Sequence, residues 1–119
     1  MRQPSRIQCK RVYHPAARSD GHRVLVDRVW PRGIKKEDLR ADEWRKELSP
    51  SSELRKWFNH VPQRWAAFYQ KFHAELDQQG EAVESVLKGA HGGTLTLLYA
   101  AKDTEHNNAV ALKMYLEKQ

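Results

Sequence analysis

At 119 residues the chain has room for one core, so a single domain spanning 1–119 is expected. Lys and Arg number 21 against 15 Asp and Glu, and the formal net charge of +6 favours anionic partners, from small phosphometabolites to nucleic acid. No stretch approaches the roughly 18 apolar residues of a membrane span, and MRQPSRIQCKR lacks a signal peptide's apolar centre; a soluble, cytoplasmic protein without membrane contact is expected.

In chain order, Ile7 to Tyr13 alternates enough to predict an edge strand, closed by the turn residues Pro15, Asp20 and Gly21. The lone cysteine, Cys9, allows no internal disulfide and reads as a small buried residue of that strand, not a nucleophile. Arg23 to Trp30 (RVLVDRVW) predicts a second strand. Its unbroken Val24, Leu25 and Val26 suit a sheet covered on both faces, and Pro31 and Gly33 end it.

From Lys35 to His60 the pattern is polar and helical in short pieces. Asp42 to Leu48 is one expected helix, and Ser49 followed by Pro50 marks the start of another, with Leu54, Trp57, Phe58 and Val61 as its apolar stripe. Pro62 restarts the pattern. Trp65, Phe68, Tyr69, Phe72 and Leu76 mark a long amphipathic helix stopping near Gly80, and Val83, Val86, Leu87 and Ala90 a third, ended by His91, Gly92 and Gly93. The aromatic residues of these stripes read first as core.

Thr94 to Ala101 (TLTLLYAA) is the clearest strand. After it, Asp103 or Thr104 is the expected cap of a final helix that buries Ala109, Val110, Leu112, Met114 and Leu116. The expected architecture is α/β: a small, mostly parallel sheet of about three to four strands flanked by helices.

Two apolar strands thus end in polar clusters, Asp27, Arg28 and Arg32 after the second and Lys102, Asp103, Glu105, His106 and Asn107 after the third. In open α/β sheets ligands bind outside the carboxyl ends of parallel strands, so these clusters meet if the strands are neighbours. Arg28 and Arg32 suit a carboxylate or phosphate, Gly33 would allow close backbone approach, and Lys102, Asp103 and Asn107 complete a candidate ligand-binding set. The amide groups near Thr104 to Asn107 would add a helix N-terminus. His106 is a candidate general base that Asp103 or Asp27 could orient, and Asp27 a second candidate catalytic residue. The bland reading pairs Asp27 with Arg32 or Lys102 and makes Asp103 and Glu105 caps. His14, His22, His60, His73 and His91 show no metal-ligand spacing, and no metal site is expected. No GxGxxG, Walker A or GxSxG signature occurs, so no familiar mechanism is implied.

The blocks RVLVDRVWPRGIKKEDL, ELSPSSELRKWF, the aromatic run from Trp65 to Leu76 and LTLLYAAKDTEHNNAVAL together resemble the YeaO-like family, a bacterial family built on a domain of unknown function. The resemblance covers about Ile7 to Leu116. It implies that Asp27, Arg28, Trp30, Pro31, Arg32 and Gly33, and Lys102, Asp103, His106 and Asn107, are the signature residues. More distant members resemble this pattern with an Asp-x-Arg in the first block and a Cys-His-Arg near the second. Here Asp27 directly precedes Arg28, and His106, Asn107 and Asn108 follow with no cysteine, so thiol chemistry does not carry over.

Three readings follow. The first is a binder, or an enzyme, for a small phosphorylated or carboxylated ligand in a strand-end crevice. The alternative is a nucleic-acid-binding protein using a basic face around Arg2, Arg6, Lys10, Arg11 and Arg32 to Lys36. The third is a self-associating module whose aromatic helices form an interface.

Overall fold

The two most apolar runs lie side by side at the centre of a four-stranded, all-parallel sheet. In the computed structural model, which describes residues 3–119, the strands are β1 (Arg6–Arg11), β2 (His22–Leu25), β3 (Glu43–Trp44) and β4 (Thr94–Tyr99), in the order β1-β4-β2-β3. The registers place Arg6 opposite Thr94, His22 opposite Leu95 and Val24 opposite Glu43. The first strand is therefore an edge strand, parallel to β4. Arg2, one of the cations of the expected basic face, lies outside the described residues.

Alternation along β2 and β4 divides the core in two. Val24, Val26, Leu95, Leu97 and Tyr99 face the larger cluster, built with α2 (Ser52–Phe58), α3 (Trp65–Leu76), α4 (Gly80–Gly89) and α5 (Asn108–Leu116). Leu25 and Leu98 face the other side, where Val12, Leu39 of the short α1 (Lys36–Leu39), Trp30 and Ile34 cover them. Both faces are closed, which is why these strands read as unbroken apolar runs.

Several local expectations are corrected. Asp42 to Leu48 is not a helix: it holds β3 and a 3-10 turn, Lys46–Leu48. β3 docks on β2 through backbone bonds from Asp42 N to Arg23 O and from Arg45 N to Leu25 O, and through a 2.5 Å contact between His22 Nε2 and Glu43 Oε2. The cap of α2 is Ser51, not Ser49, whose Oγ instead donates to Lys46 O and closes the preceding 3-10 turn. Ser51 Oγ accepts from Leu54 N, and Glu75 of α3 accepts from both Ser51 N and Ser51 Oγ. Trp57 departs from the stripe formed by Leu54 and Phe58 and is 38% exposed, with Lys71 Nζ 4.3 Å from its ring centre.

A buried polar knot, absent from the sequence reading, holds the amino-terminal end of β2. Arg23 and Asp20 are only 5% and 2% exposed; Arg23 Nη1 donates to Asp20 Oδ2 at 2.5 Å, and its other donors reach the carbonyls of Leu39 and Arg40. Lys10 and the Ala17 amide also donate to Asp20, and Thr96 Oγ1 donates to the Asp20 carbonyl. Shared by β1, β2, β4 and the α1 turn, the knot fixes their relative positions. A buried charge is tolerated when its lone pairs and protons are satisfied, as they are here.

Candidate functional site

Past Leu25 the ladder between β2 and β4 gives way over two residues. Val26 N still donates to Leu98 O, but beyond it the Asp27 side chain, not the backbone, receives the Ala100 amide at 2.9 Å. With its carboxylate in the ladder's place, the chain is free to leave the sheet. The departing loop is fixed by Trp44 Nε1 donating to Asp27 O, Trp30 Nε1 donating to Ile34 O and Tyr13 Oη donating to Arg32 O. Trp30 and Trp44 meet edge to face with ring centres 5.4 Å apart. Gly33 sits at φ +79, a left-handed position that glycine takes without strain.

β4 ends in a second ordered loop. Asp103 Oδ1 accepts from the amides of Glu105 and His106, and its Oδ2 lies 3.0 Å from His106 Nδ1. Those backbone bonds, with the His106 contact, hold the Asp103 carboxyl below the usual carboxylate range. The expected cap at Asp103 or Thr104 is corrected: Asn107 caps α5, its Oδ1 accepting from Val110 N and its Nδ2 donating to Asp103 O. The amides near Thr104 to Asn107 therefore belong to a loop and form no helix N-terminus. The Asp103 carboxylate shapes the loop that presents His106, while the ring of His106 stands edge-on to Trp65 at 5.4 Å.

The two loops meet. A crevice of about 870 Å³ opens at the carboxyl edge of the sheet, and Asp27, Arg28, Arg32, Lys102, Asp103, His106 and Asn107 all line it. Gly33 does not; it shapes the turn beside the crevice. The far wall is α2 and the turn after it, which adds Arg55, Lys56, Asn59 and His60, together with Asn108 of α5. The sequence reading missed these because it followed the buried stripe of α2, whereas Arg55 and Lys56 occupy the opposite face. Asn59 and His60 both hold positive φ, 46 and 55, a conformation that Asn and His adopt more readily than most residues and that only the structure reveals.

Five full cations, Arg28, Arg32, Arg55, Lys56 and Lys102, therefore face two carboxylates in one crevice. Among the described residues none of the five forms a salt bridge. Arg28 alone is tied down, donating from Nη2 to Pro50 O at 3.0 Å. The expected pairing of Asp27 with Arg32 or Lys102 does not occur. Asp27 instead accepts from Ala100 N and from Asn108 Nδ2, and burial holds its carboxyl above the ordinary range against the pull of those bonds.

The alternative basic face is partly consumed by internal bonds. Lys10 is committed to Asp20, and Arg11 donates to the Ala100 and Ala101 carbonyls with its guanidinium 5.0 Å from the Tyr13 ring centre. Cys9 has its thiol pushed up to about 12, chiefly by burial, and lies outside the crevice lining. No group of three or more metal-ligating side chains occurs among the described residues. None of their helices is long and apolar enough to cross a membrane.

A parallel α/β domain with a cationic crevice where its central strands end is the class these features define. The chain belongs to the family described as the "Inactive DUF488-N3 subclade", whose model matches residues 6–119. It is 52% identical to the uncharacterized protein YeaO of Escherichia coli (strain K12) over 110 residues, covering 92% of this chain and 96% of the relative. It is 36% identical over 112 residues to an uncharacterized protein of Mycobacterium tuberculosis (strain ATCC 25618 / H37Rv), covering 94% of each. No solved structure gives a significant match.

Proposed function

We propose that the chain binds a small anionic organic ligand, phosphorylated or carboxylated, in the crevice at the carboxyl edge of the sheet, and does so without turning it over. The observation that carries this reading is the set of five cations converging there without carboxylate partners among the described residues. All five side chains are exposed at the crevice, and like charges gathered there repel one another, which a bound anion relieves.

Arg28 and Arg55 supply forked donors, and Lys56 and Lys102 point charges, from three different segments: the loop after β2, α2 and the loop after β4. His106, oriented by Asp103, serves as a neutral or charged donor to the ligand. Asp27, with both oxygens already engaged, holds β2, β4 and α5 together beneath the ligand. The family's description as inactive favours binding over catalysis.

The test is calorimetric titration with ribose 5-phosphate at low and moderate salt, on wild type, Arg28→Ala and Arg55→Ala. Binding that persists at moderate salt in wild type and is lost in both variants is expected. Equal binding by all three proteins, or a response only to a short DNA duplex that moderate salt removes, overturns the reading.

A further inference from the structure

The crevice is more than a cluster of charge. Its volume of about 870 Å³ lies near the upper end of small-molecule pockets, far beyond what a bare phosphate fills. Between Arg28 and Arg32 the loop carries Val29, Trp30 and Pro31, and Val29 is 65% exposed at the crevice. The contrast within the chain is large: Val12, Val24, Val26, Val83 and Val86 are each 5% exposed or less. Only four large apolar side chains among the described residues stand exposed, and two of them, Val29 and Tyr13, line this crevice. An apolar surface left open beside unpaired guanidinium groups is complementary to a molecule with an apolar body and an anionic head.

Two further features narrow the class. The lining includes the rings of Tyr13, Trp30, His60 and His106, with the buried Phe58 and Phe68 behind them, a composition suited to a flat body that meets ring faces or edges. The charge is also larger than one carboxylate answers: five cations face two carboxylates, and among the described residues neither carboxylate forms a salt bridge with any of the five. A phosphate monoester brings close to two negative charges and three acceptor oxygens.

Resting on the anion-binding reading above, we infer that the crevice takes a phosphate monoester carrying a planar ring, the chemistry of a nucleoside monophosphate. Arg28, Arg55 and Lys102 hold the phosphate, and Val29 with the ring-bearing wall covers the flat body.

Titration of the full chain with AMP, UMP, ribose 5-phosphate, inorganic phosphate and adenosine tests this. A nucleoside monophosphate is expected to bind at least about tenfold more tightly than ribose 5-phosphate, and ribose 5-phosphate more tightly than adenosine. Val29→Ser, a change at an exposed position, is expected to weaken AMP several-fold and leave ribose 5-phosphate unchanged. Equal affinity for ribose 5-phosphate and both nucleotides, each lost in Arg55→Ala, overturns the ring and leaves the anion site standing. Adenosine binding as well as AMP, or no response to any of the five compounds, overturns both.

Discussion

Asn108 Nδ2 donates at 3.0 Å to Asp27 Oδ1 and at 3.0 Å to the carbonyl of Val26, so the first residue of α5 is fastened to the point where the chain leaves β2. The other Asp27 oxygen receives Ala100 N from the end of β4. Groups 73 and 81 positions further along the chain thus converge on one carboxylate. This is the mechanical reason that the strand ends form a wall and not two independent loops.

Asn108→Ala should therefore loosen the crevice as well as the fold. It leaves the Val26 carbonyl and one Asp27 oxygen without their partner, at about 1–3 kcal/mol for a poorly solvated acceptor. The expected result is a lower urea midpoint with an unchanged m value, and weaker ribose 5-phosphate binding. A midpoint within error of wild type would show that the bonds are individually replaceable by water.

Asp27→Asn tests the same junction by chemistry. An amide cannot accept at both ends, so its NH2 must face either the Ala100 amide or the Asn108 side chain, and a loss of about 1–3 kcal/mol is expected. In wild type the sign of the pH effect is opposite to that of a salt-bridged acid. Because burial raises the folded-state carboxyl, the Asp27 contribution is most favourable below its unfolded value and diminishes as pH rises through that value towards the folded one. Monitoring the carboxyl by NMR should show a midpoint above the model-peptide range of about 3.9.

The buried pair of Asp20 and Arg23 gives the ordinary sign. Burial pushes the Asp20 carboxyl up, but the Ala17 amide, Lys10 and Arg23 outweigh it and hold the group below the usual range. Its stabilisation is present above the unfolded value of about 3.9 and is lost as pH falls through the lower folded one. Asp20→Asn is expected to cost about 3–5 kcal/mol at pH 7 by leaving Arg23 buried without its counter-charge. In urea unfolding the gap to wild type should narrow as pH drops below 4. A gap that stays constant with pH would mean that the loss is one of packing.

What the sequence discloses is decided by how local each signal is. Parallel, adjacent β2 and β4 follow from Val24, Leu25, Val26 and Leu95, Leu97, Leu98, whose unbroken apolarity needs cover on both faces. The convergence of Arg28 and Arg32 with Lys102 and His106 follows from that adjacency. β3 is only Glu43 and Trp44, too short to show a period of two, and the charged run around it reads as helix. The cap of α5 falls at Asn107 because Asp103, an equally good cap by type, is engaged by the Glu105 and His106 amides. Arg55 and Lys56 are site residues only because α2 turns its buried stripe inward beside the crevice, a tertiary fact. The Asp20 and Arg23 knot is likewise invisible locally, since nothing in DGHR marks an aspartate and an arginine as buried partners.

The cationic wall makes a prediction that separates a specific site from the effect of net charge. Arg55 and Lys56 line the crevice, whereas Lys35 and Lys36 are exposed cations outside its lining, and each substitution by alanine removes the same unit of charge. If net charge alone attracts anions, all four variants weaken ribose 5-phosphate binding alike, and moderate salt abolishes what is left. If the crevice is the site, Arg55→Ala should cost about tenfold, as expected for a charge-assisted bond of roughly 1.5 kcal/mol, and Lys56→Ala somewhat less. Lys35→Ala and Lys36→Ala should then stay within about twofold of wild type, the scale of a screened charge beyond a Debye length of roughly 8 Å. All four positions are exposed and carry no side-chain hydrogen bond among the described residues, so their unfolding midpoints should stay close to wild type. A loss of binding in Arg55→Ala with an unchanged midpoint then reports on the ligand contact and not on the fold.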